Sequence, residues 1–219
     1  GLQMLDEGAD IIDVGGESTR PGHTPVDPKE EAERVVPVVR ELLKAGALVS
    51  IDTRHAEVAR MCVRLGVQII NDVSGFTDPE MVKVAADSKC GCIVMHWNKE
   101  GLGAHVERKR VALDDSRPAR PEAARSLTSQ RRFTLPEEAP IMRQIMGFLG
   151  DQARILMRAG VSHDRICIDP GPGFDKFADE DIVIQRATRS MVSMGYPLMC
   201  AVSRKRFVGA VSGVPGGAA

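Results

Sequence analysis

Short runs of aliphatic residues alternate along the chain with longer stretches in which apolar positions recur at helical spacing. Runs that read as buried strands lie at residues 9–14, 48–51, 68–70, 92–95, 166–168 and 198–202, each a near-continuous apolar segment of the kind a parallel sheet buries on both faces. Helical patterns cover residues 27–44, 56–65, 79–87, 141–159 and 179–194, the first with acidic residues near its start, where they suit the helix dipole. Pro37 inside that first pattern predicts a kink or break, because proline lacks an N–H and its ring crowds the carbonyl four residues earlier. Strand and helix in alternation predict repeated β-α units on a parallel sheet. Residues 98–140 depart from the pattern, being rich in Arg, Pro, Ser and Glu with few apolar positions, and read as a long surface excursion. Its basic residues Arg108, Lys109, Arg110, Arg131 and Arg132 read as a solvated charged loop rather than a phosphate contact.

Every apolar run ends in polar or glycine-rich residues. Asp13-Val14-Gly15-Gly16-Glu17 closes the first, Asp52-Thr53 the second, Asn71-Asp72 the third and His96 the fourth. Asp169-Pro170-Gly171 closes the fifth and Ser203-Arg204-Lys205-Arg206 the sixth. In a β/α barrel the C-terminal strand ends converge on one face, where active sites are built. Taken singly, Asp13 and Asp52 read equally as helix N-caps or as hydrogen-bonding groups at the barrel mouth. Asp72 reads as a residue that orients its turn, Asn71 as a turn residue or a ligand contact, and His96 as a satisfied imidazole at the core edge. Asp169-Pro170-Gly171-Pro172-Gly173-Phe174 is more specific, since two prolines and two glycines fix an unusual backbone beside a carboxylate, as a preorganised binding edge requires. The alternative is a tight βα turn. Arg204-Lys205-Arg206, directly after a buried run and before a helical turn, reads as an anion site.

Composition narrows the classes. The chain has 219 residues, 43% hydrophobic and 27% charged, with formal net charge −1, so it reads as one ordinary globular domain without the basic excess of a nucleic-acid binder. Five cysteines, Cys62, Cys90, Cys92, Cys167 and Cys200, form an odd set lying mostly in apolar stretches, and read as reduced packing residues. Cys90 and Cys92 lack a second Cys/His pair at metal-ligand spacing. No apolar run of about 18 residues and no charged-then-apolar leader stands in the sequence, which points to the cytoplasm and away from a membrane.

Read together, these segments resemble the dihydropteroate synthase family. The resemblance rests on Ile11 through Gly22 (IIDVGGESTRPG), Ser50-Ile51-Asp52-Thr53, Ile69 through Gly75 (IINDVSG), Met95-His96, Asp169 through Phe174 (DPGPGF) and Ser203 through Phe207 (SRKRF), in the family's order over nearly the whole chain. It implies an α/β fold, the (β/α)₈ TIM barrel, with six of eight strands in this chain as a single pterin-binding domain over residues 1–219 and the 98–140 excursion inserted in it. Residues 1–8 then read as the end of a first helix. The family's Mg²⁺-binding Asn and its pyrophosphate-binding Arg and His fall on strands with no counterpart here, so the resemblance implies that the isolated chain turns over poorly.

The implied reaction joins p-aminobenzoate to a dihydropterin pyrophosphate, giving dihydropteroate and pyrophosphate in folate biosynthesis. The resemblance assigns the pterin to Asp52, Asn71, Met95, Asp169, Phe174 and Lys205, with Asp52 and Lys205 also catalytic. It assigns p-aminobenzoate to Thr19, Arg20, Pro21 and Arg206, with the 17–22 segment as a mobile flap. Mg²⁺ as cofactor, a homodimer, a cytoplasmic setting and sulfonamides as inhibitors follow from the same resemblance. A pterin-dependent methyltransferase would share the barrel but lack the Ser-Thr-Arg-Pro-Gly and Ser-Arg-Lys-Arg segments. A pterin-binding module without transfer activity is the reading from a different class.

Overall fold

A computed structural model describes residues 1–19, 24–97 and 136–212, and at residues 137, 178, 206, 210 and 212 only the backbone. Arg20, Pro21 and Gly22 of the expected flap, and residues 98–135 of the expected insertion, lie outside the described residues. Elements follow in the order α1 (Leu2–Asp6), β1 (Ile11–Gly15), α2 (Pro28–Lys44), β2 (Leu48–Asp52), α3 (Ala56–Leu65), β3 (Ile69–Asp72), α4 (Pro79–Asp87) and β4 (Gly91–Met95). After them come α5 (Pro140–Arg158), β5 (Ile166–Asp169), α6 (Ala178–Arg186), α7 (Thr188–Val192) and α8 (Arg206–Ser212). The strands form one sheet in the order β1-β2-β3-β4-β5. The first four pair parallel, with Gly15 opposite Asp52 and Asp52 opposite Asn71.

The described residues fall into two compact units. The first takes residues 1–95 and 151–168. Val49 and Ile51 of β2, Ile70 of β3 and Val94 of β4 are fully buried in it, as are Val39 of α2 and Val58 of α3. Helix starts are set by side-chain oxygens: Lys29 N–H donates to Asp27 Oδ1 at 2.8 Å, and Glu80 N–H to Asp78 Oδ1 at 2.9 Å. Arg165 closes the end of α4, its Nε donating to the Cys90 carbonyl and its Nη2 to the Ala85 carbonyl, both at 2.9 Å. The second unit takes residues 96–97, 136–150 and 169–212 of those described, around Met142, Ile145, Leu149, Ile184, Met191 and Phe207.

Four expectations change. Residues 198–202 form no strand and contribute an isolated bridge at Leu198, with Cys200 exposed; an apolar run predicts burial, but a strand also needs a neighbouring backbone to ladder against. The 179–194 helix divides at Ala187 into α6 and α7. Thr188 Oγ1 donates to the Gln185 carbonyl at 2.7 Å, so a local side-chain bond competes with the helical ladder there. Pro37 does not break α2, which runs on through it. Pro37 and Glu33 both sit on the exposed face, so water can take the carbonyl that the missing N–H leaves open. The surface excursion also ends earlier than residue 140, since Pro136–Glu138 forms a 3₁₀ turn and Ala139 is buried. All five cysteines are free thiols, and burial pushes Cys92 up to about 12 and Cys62 up to about 11, as inert packing residues require. Among the described residues no helix is long and apolar enough to cross a membrane.

Candidate functional site

In the first unit the ends of β1, β2 and β3 bring carboxylates together. Asn71 Nδ2 donates to Asp13 Oδ2 at 3.1 Å, and on the intervening β2 strand Asp52 pairs in register with Asn71 and Gly15 while Ser50 pairs with Asp13. Desolvation raises Asp13, opposed in part by Ser50 and then by that Asn71 bond. Asp52 is pushed up to about 8, first by burial and then by the neighbouring charges of Asp13, Glu31, Asp72 and Glu17. That shift favours the protonated form of Asp52 at neutral pH. Asp72 is fully buried and orients its turn as expected, accepting from Ser74 N–H at 2.8 Å, Ser74 Oγ at 2.7 Å and Phe76 N–H at 2.8 Å.

Beside this cluster lie an ion pair and a carboxylate–imidazole contact that sequence reasoning missed. Glu17 accepts from Arg54 Nε at 2.8 Å and Arg54 Nη2 at 2.9 Å, and its Oε1 also accepts Val26 N–H at 3.1 Å. Arg54 holds the Glu17 carboxyl below the usual range against the opposing effect of burial, which is the larger single influence. Glu31, fully buried at the first turn of α2, meets His55 Nδ1 at 2.6 Å. Gly16 lies so close that a Cβ there would stand 2.8 Å from Glu31 Cγ and 2.9 Å from Val35 Cγ1, so only glycine fits. The visible signal was Arg54 directly after the strand end Asp52-Thr53, opposite Glu17 after the end of β1.

The second unit holds the Asp169–Phe174 loop. Asp169 Oδ1 accepts Gly171 N–H at 2.7 Å, and its carbonyl accepts His96 N–H at 2.9 Å. Gly171 and Gly173 have φ of 62° and 79°, left-handed conformations that explain why glycine stands at both places. Asp169 is raised by burial, with the Gly171 bond and then Lys205 and Lys176 opposing. Lys205 Nζ lies 4.5 Å from the centre of the Phe174 ring, a cation–π distance, and burial lowers it while Asp169 and Asp181 raise it. Trp97 meets the same Phe174 ring edge-on at 5.5 Å and donates through Nε1 to Asp175 Oδ2 at 2.6 Å. His96 is buried against Phe148, its rings 5.3 Å apart, and its Nδ1 has no hydrogen-bond partner among the described residues. The expected satisfied imidazole is thus a neutral one with an open nitrogen, lowered to about 3 by burial and by Lys176.

The structure brings together Asp52 with Asn71 in one unit and Asp169, Phe174 and Lys205 in the other. Met95 is buried at the end of β4, and Thr19 is half-buried. Arg204 is exposed at a left-handed φ of 57°, and only the backbone of Arg206 is described, at the start of α8. Sequence reasoning also missed Lys176 and Asp181, although Lys176 directly follows the glycine-proline loop. Among the described residues no group of three or more His, Cys, Asp or Glu side chains stands together to hold a metal ion.

Polar strand ends on a parallel β/α sheet, with an aspartate and a lysine about a proline-glycine loop, define an α/β protein of the partial (β/α)₈ barrel type. The chain belongs to the pterin binding enzyme family, whose model matches residues 1–216. It is 36% identical over 210 residues to the dihydropteroate synthase of Mycobacterium leprae, covering 95% of this chain and 64% of that protein. Dihydropteroate synthase from Clostridium difficile, solved in the presence of pteroic acid, superposes with a TM-score of 0.75 at 33% identity, over 96% of this chain and 68% of that one. The Xanthomonas albilineans enzyme, solved with 4-aminobenzoic acid, gives a TM-score of 0.76 at 29% identity over 97% and 66%. The chain thus spans about 64% of the length of the curated relative.

Proposed function

We propose that this chain carries the chemistry of dihydropteroate synthase, in which the amine of p-aminobenzoate displaces pyrophosphate from the methylene carbon of a dihydropterin. A C–N bond forms, the C–O bond to pyrophosphate breaks, and the amine loses a proton. The observation that carries the proposal is the Asp13, Asp52 and Asn71 set at three adjacent strand ends, with Asp52 held at about 8. The relatives solved with pteroic acid and with 4-aminobenzoic acid support the same substrates here.

In this reading Asp169 accepts from the donor edge of the pterin, Asn71 and Asp52 meet other ring nitrogens, and Lys205 donates to the ring carbonyl. Met95 and Phe174 pack on the ring. As pyrophosphate leaves, positive charge spreads from the methylene into the ring. A carboxyl with a pKa of about 8 becomes more acidic beside that charge, and its ionised form stabilises the cation. Thr19, Arg20 and Pro21 of the flap, with Arg206, shape the p-aminobenzoate site, and closure of the flap excludes water that would capture the cation.

The resemblance adds Mg²⁺ on the pyrophosphate, but the described residues present no cluster that fits it, and no step is assigned through it. A single domain over residues 1–219 with the 98–140 insertion, a homodimer, a cytoplasmic setting and sulfonamide inhibition complete the proposal. The test is pyrophosphate release by the full-length protein, supplied with dihydropterin pyrophosphate and p-aminobenzoate. Release that requires both substrates supports the proposal. Binding of the pterin without release would reduce the protein to a binding module.

A further inference from the structure

Among the described residues of the second unit, Lys176 is a partly buried cation that the transfer chemistry leaves without a task. Its Nζ donates to the carbonyls of His96 at 3.1 Å, Gly171 at 2.7 Å and Phe174 at 3.1 Å. An ammonium has three N–H groups, and all three are spent on these carbonyls, so no donor is left for a substrate. Around them the loop is held at two further points, Gly171 N–H on Asp169 and Gly173 N–H on Asp181, the latter at 2.8 Å. The charges of Asp181, Asp169, Glu180 and Asp175 favour the ammonium form, while burial, the larger effect, lowers Lys176 to about 8.

Three carbonyls converging on one partly buried positive charge form a cage for a small cation, which the chain fills with its own side chain. Two of the three belong to the loop bearing Asp169 and Phe174, and the third follows β4. Without the charge, the three oxygens would face each other unpaired in a low-dielectric setting, and left-handed Gly171 and Gly173 offer little resistance to rearrangement.

We propose that Lys176 is a positioning residue whose ammonium fills an internal carbonyl cage and so fixes the Asp169–Phe174 edge, and that the cage, once vacated, takes a small primary ammonium ion. The assignment of that edge to the pterin rests on the proposed function, whereas the cage does not.

The experiment uses the full-length protein with Lys176→Ala and Lys176→Met. In Lys176→Ala the thermal midpoint should fall and then rise again in ethylammonium chloride, while equal tetramethylammonium chloride, which has no N–H to donate, leaves it low. In Lys176→Met the side chain still fills the channel without a charge, so neither salt should restore the midpoint. Dihydropterin affinity should fall at least about tenfold in both variants and recover with ethylammonium in Lys176→Ala alone. Equal responses to the two salts, or no response, would overturn the cage. A restored midpoint with wild-type pterin affinity throughout would overturn the positioning role. If Lys176→Ala folds only with ethylammonium present, the cage stands, and affinity measured in that salt against Lys176→Met tests the positioning. Failure of the wild-type protein to bind any pterin would count against the proposed function and leave the midpoint test of the cage intact.

Discussion

Asn71 at the end of β3 reaches past β2 to donate to Asp13 on β1 at 3.1 Å. The bond spans three strands because Asp13 and Asn71 each sit beside β2 in a parallel register that places Asn71 opposite Asp52. It partly offsets the desolvation of Asp13. Replacing Asn71 by Ala should therefore raise Asp13 further and weaken pterin binding by about 0.5–1.5 kcal/mol, the usual net contribution of a neutral hydrogen bond. Folding stability should change by no more than about 0.5 kcal/mol, because the bond lies on an exposed face. Calorimetric pterin titration alongside urea unfolding separates the two effects.

Asp52→Asn should exchange activity for stability. Wild-type Asp52 keeps its proton in the fold up to about 8, whereas the unfolded chain loses it near 4. The folded state thus binds more protons between these values, and its stability falls as pH rises through that window. Asparagine resembles the protonated acid and escapes the loss. The variant should gain on wild type by about 1–3 kcal/mol between pH 5 and pH 8 in urea unfolding, while turnover falls by about 10²–10³. A stability gap that stays level with pH would mean that Asp52 titrates normally.

His96 has the opposite sign. It stays neutral in the fold down to about 3, whereas the unfolded chain takes up a proton near 6.5. Its contribution is complete above pH 6.5 and lost progressively on acidification toward 3. Against a His96→Gln variant, wild type should lose about 2 kcal/mol of its relative stability between pH 6.5 and pH 4.5, read from unfolding midpoints at the two values.

The alternation of apolar runs and helical patterns was enough to place β1 to β5 and the helices, since each buried strand is short and almost purely aliphatic. The run at 198–202 looks the same in sequence, and what distinguishes it, the absence of ladder partners beyond Leu198 among the described residues, is a tertiary property. Strand-end position exposed Asp13, Asp52, Asn71 and Asp169 as candidates, because a carboxylate closing a buried run is costly without a purpose. The partners of these residues were not legible. Arg54 and Glu17 are 37 residues apart, and Lys176 finds the His96 carbonyl 80 residues away. Nor was the raised pKa of Asp52, which arises first from burial and then from four other carboxylates that only the fold gathers around it.

The most direct test of the pterin assignment is calorimetric titration of a 7,8-dihydropterin into the full-length protein and into Asp169→Ala. Asp169 is buried at the loop that the proposed function assigns to the pterin edge, and an ionised carboxylate there would accept two donors at once. The account predicts affinity at least about tenfold weaker in the variant, with its circular dichroism and unfolding cooperativity retained. Unchanged affinity in a folded Asp169→Ala protein would contradict it.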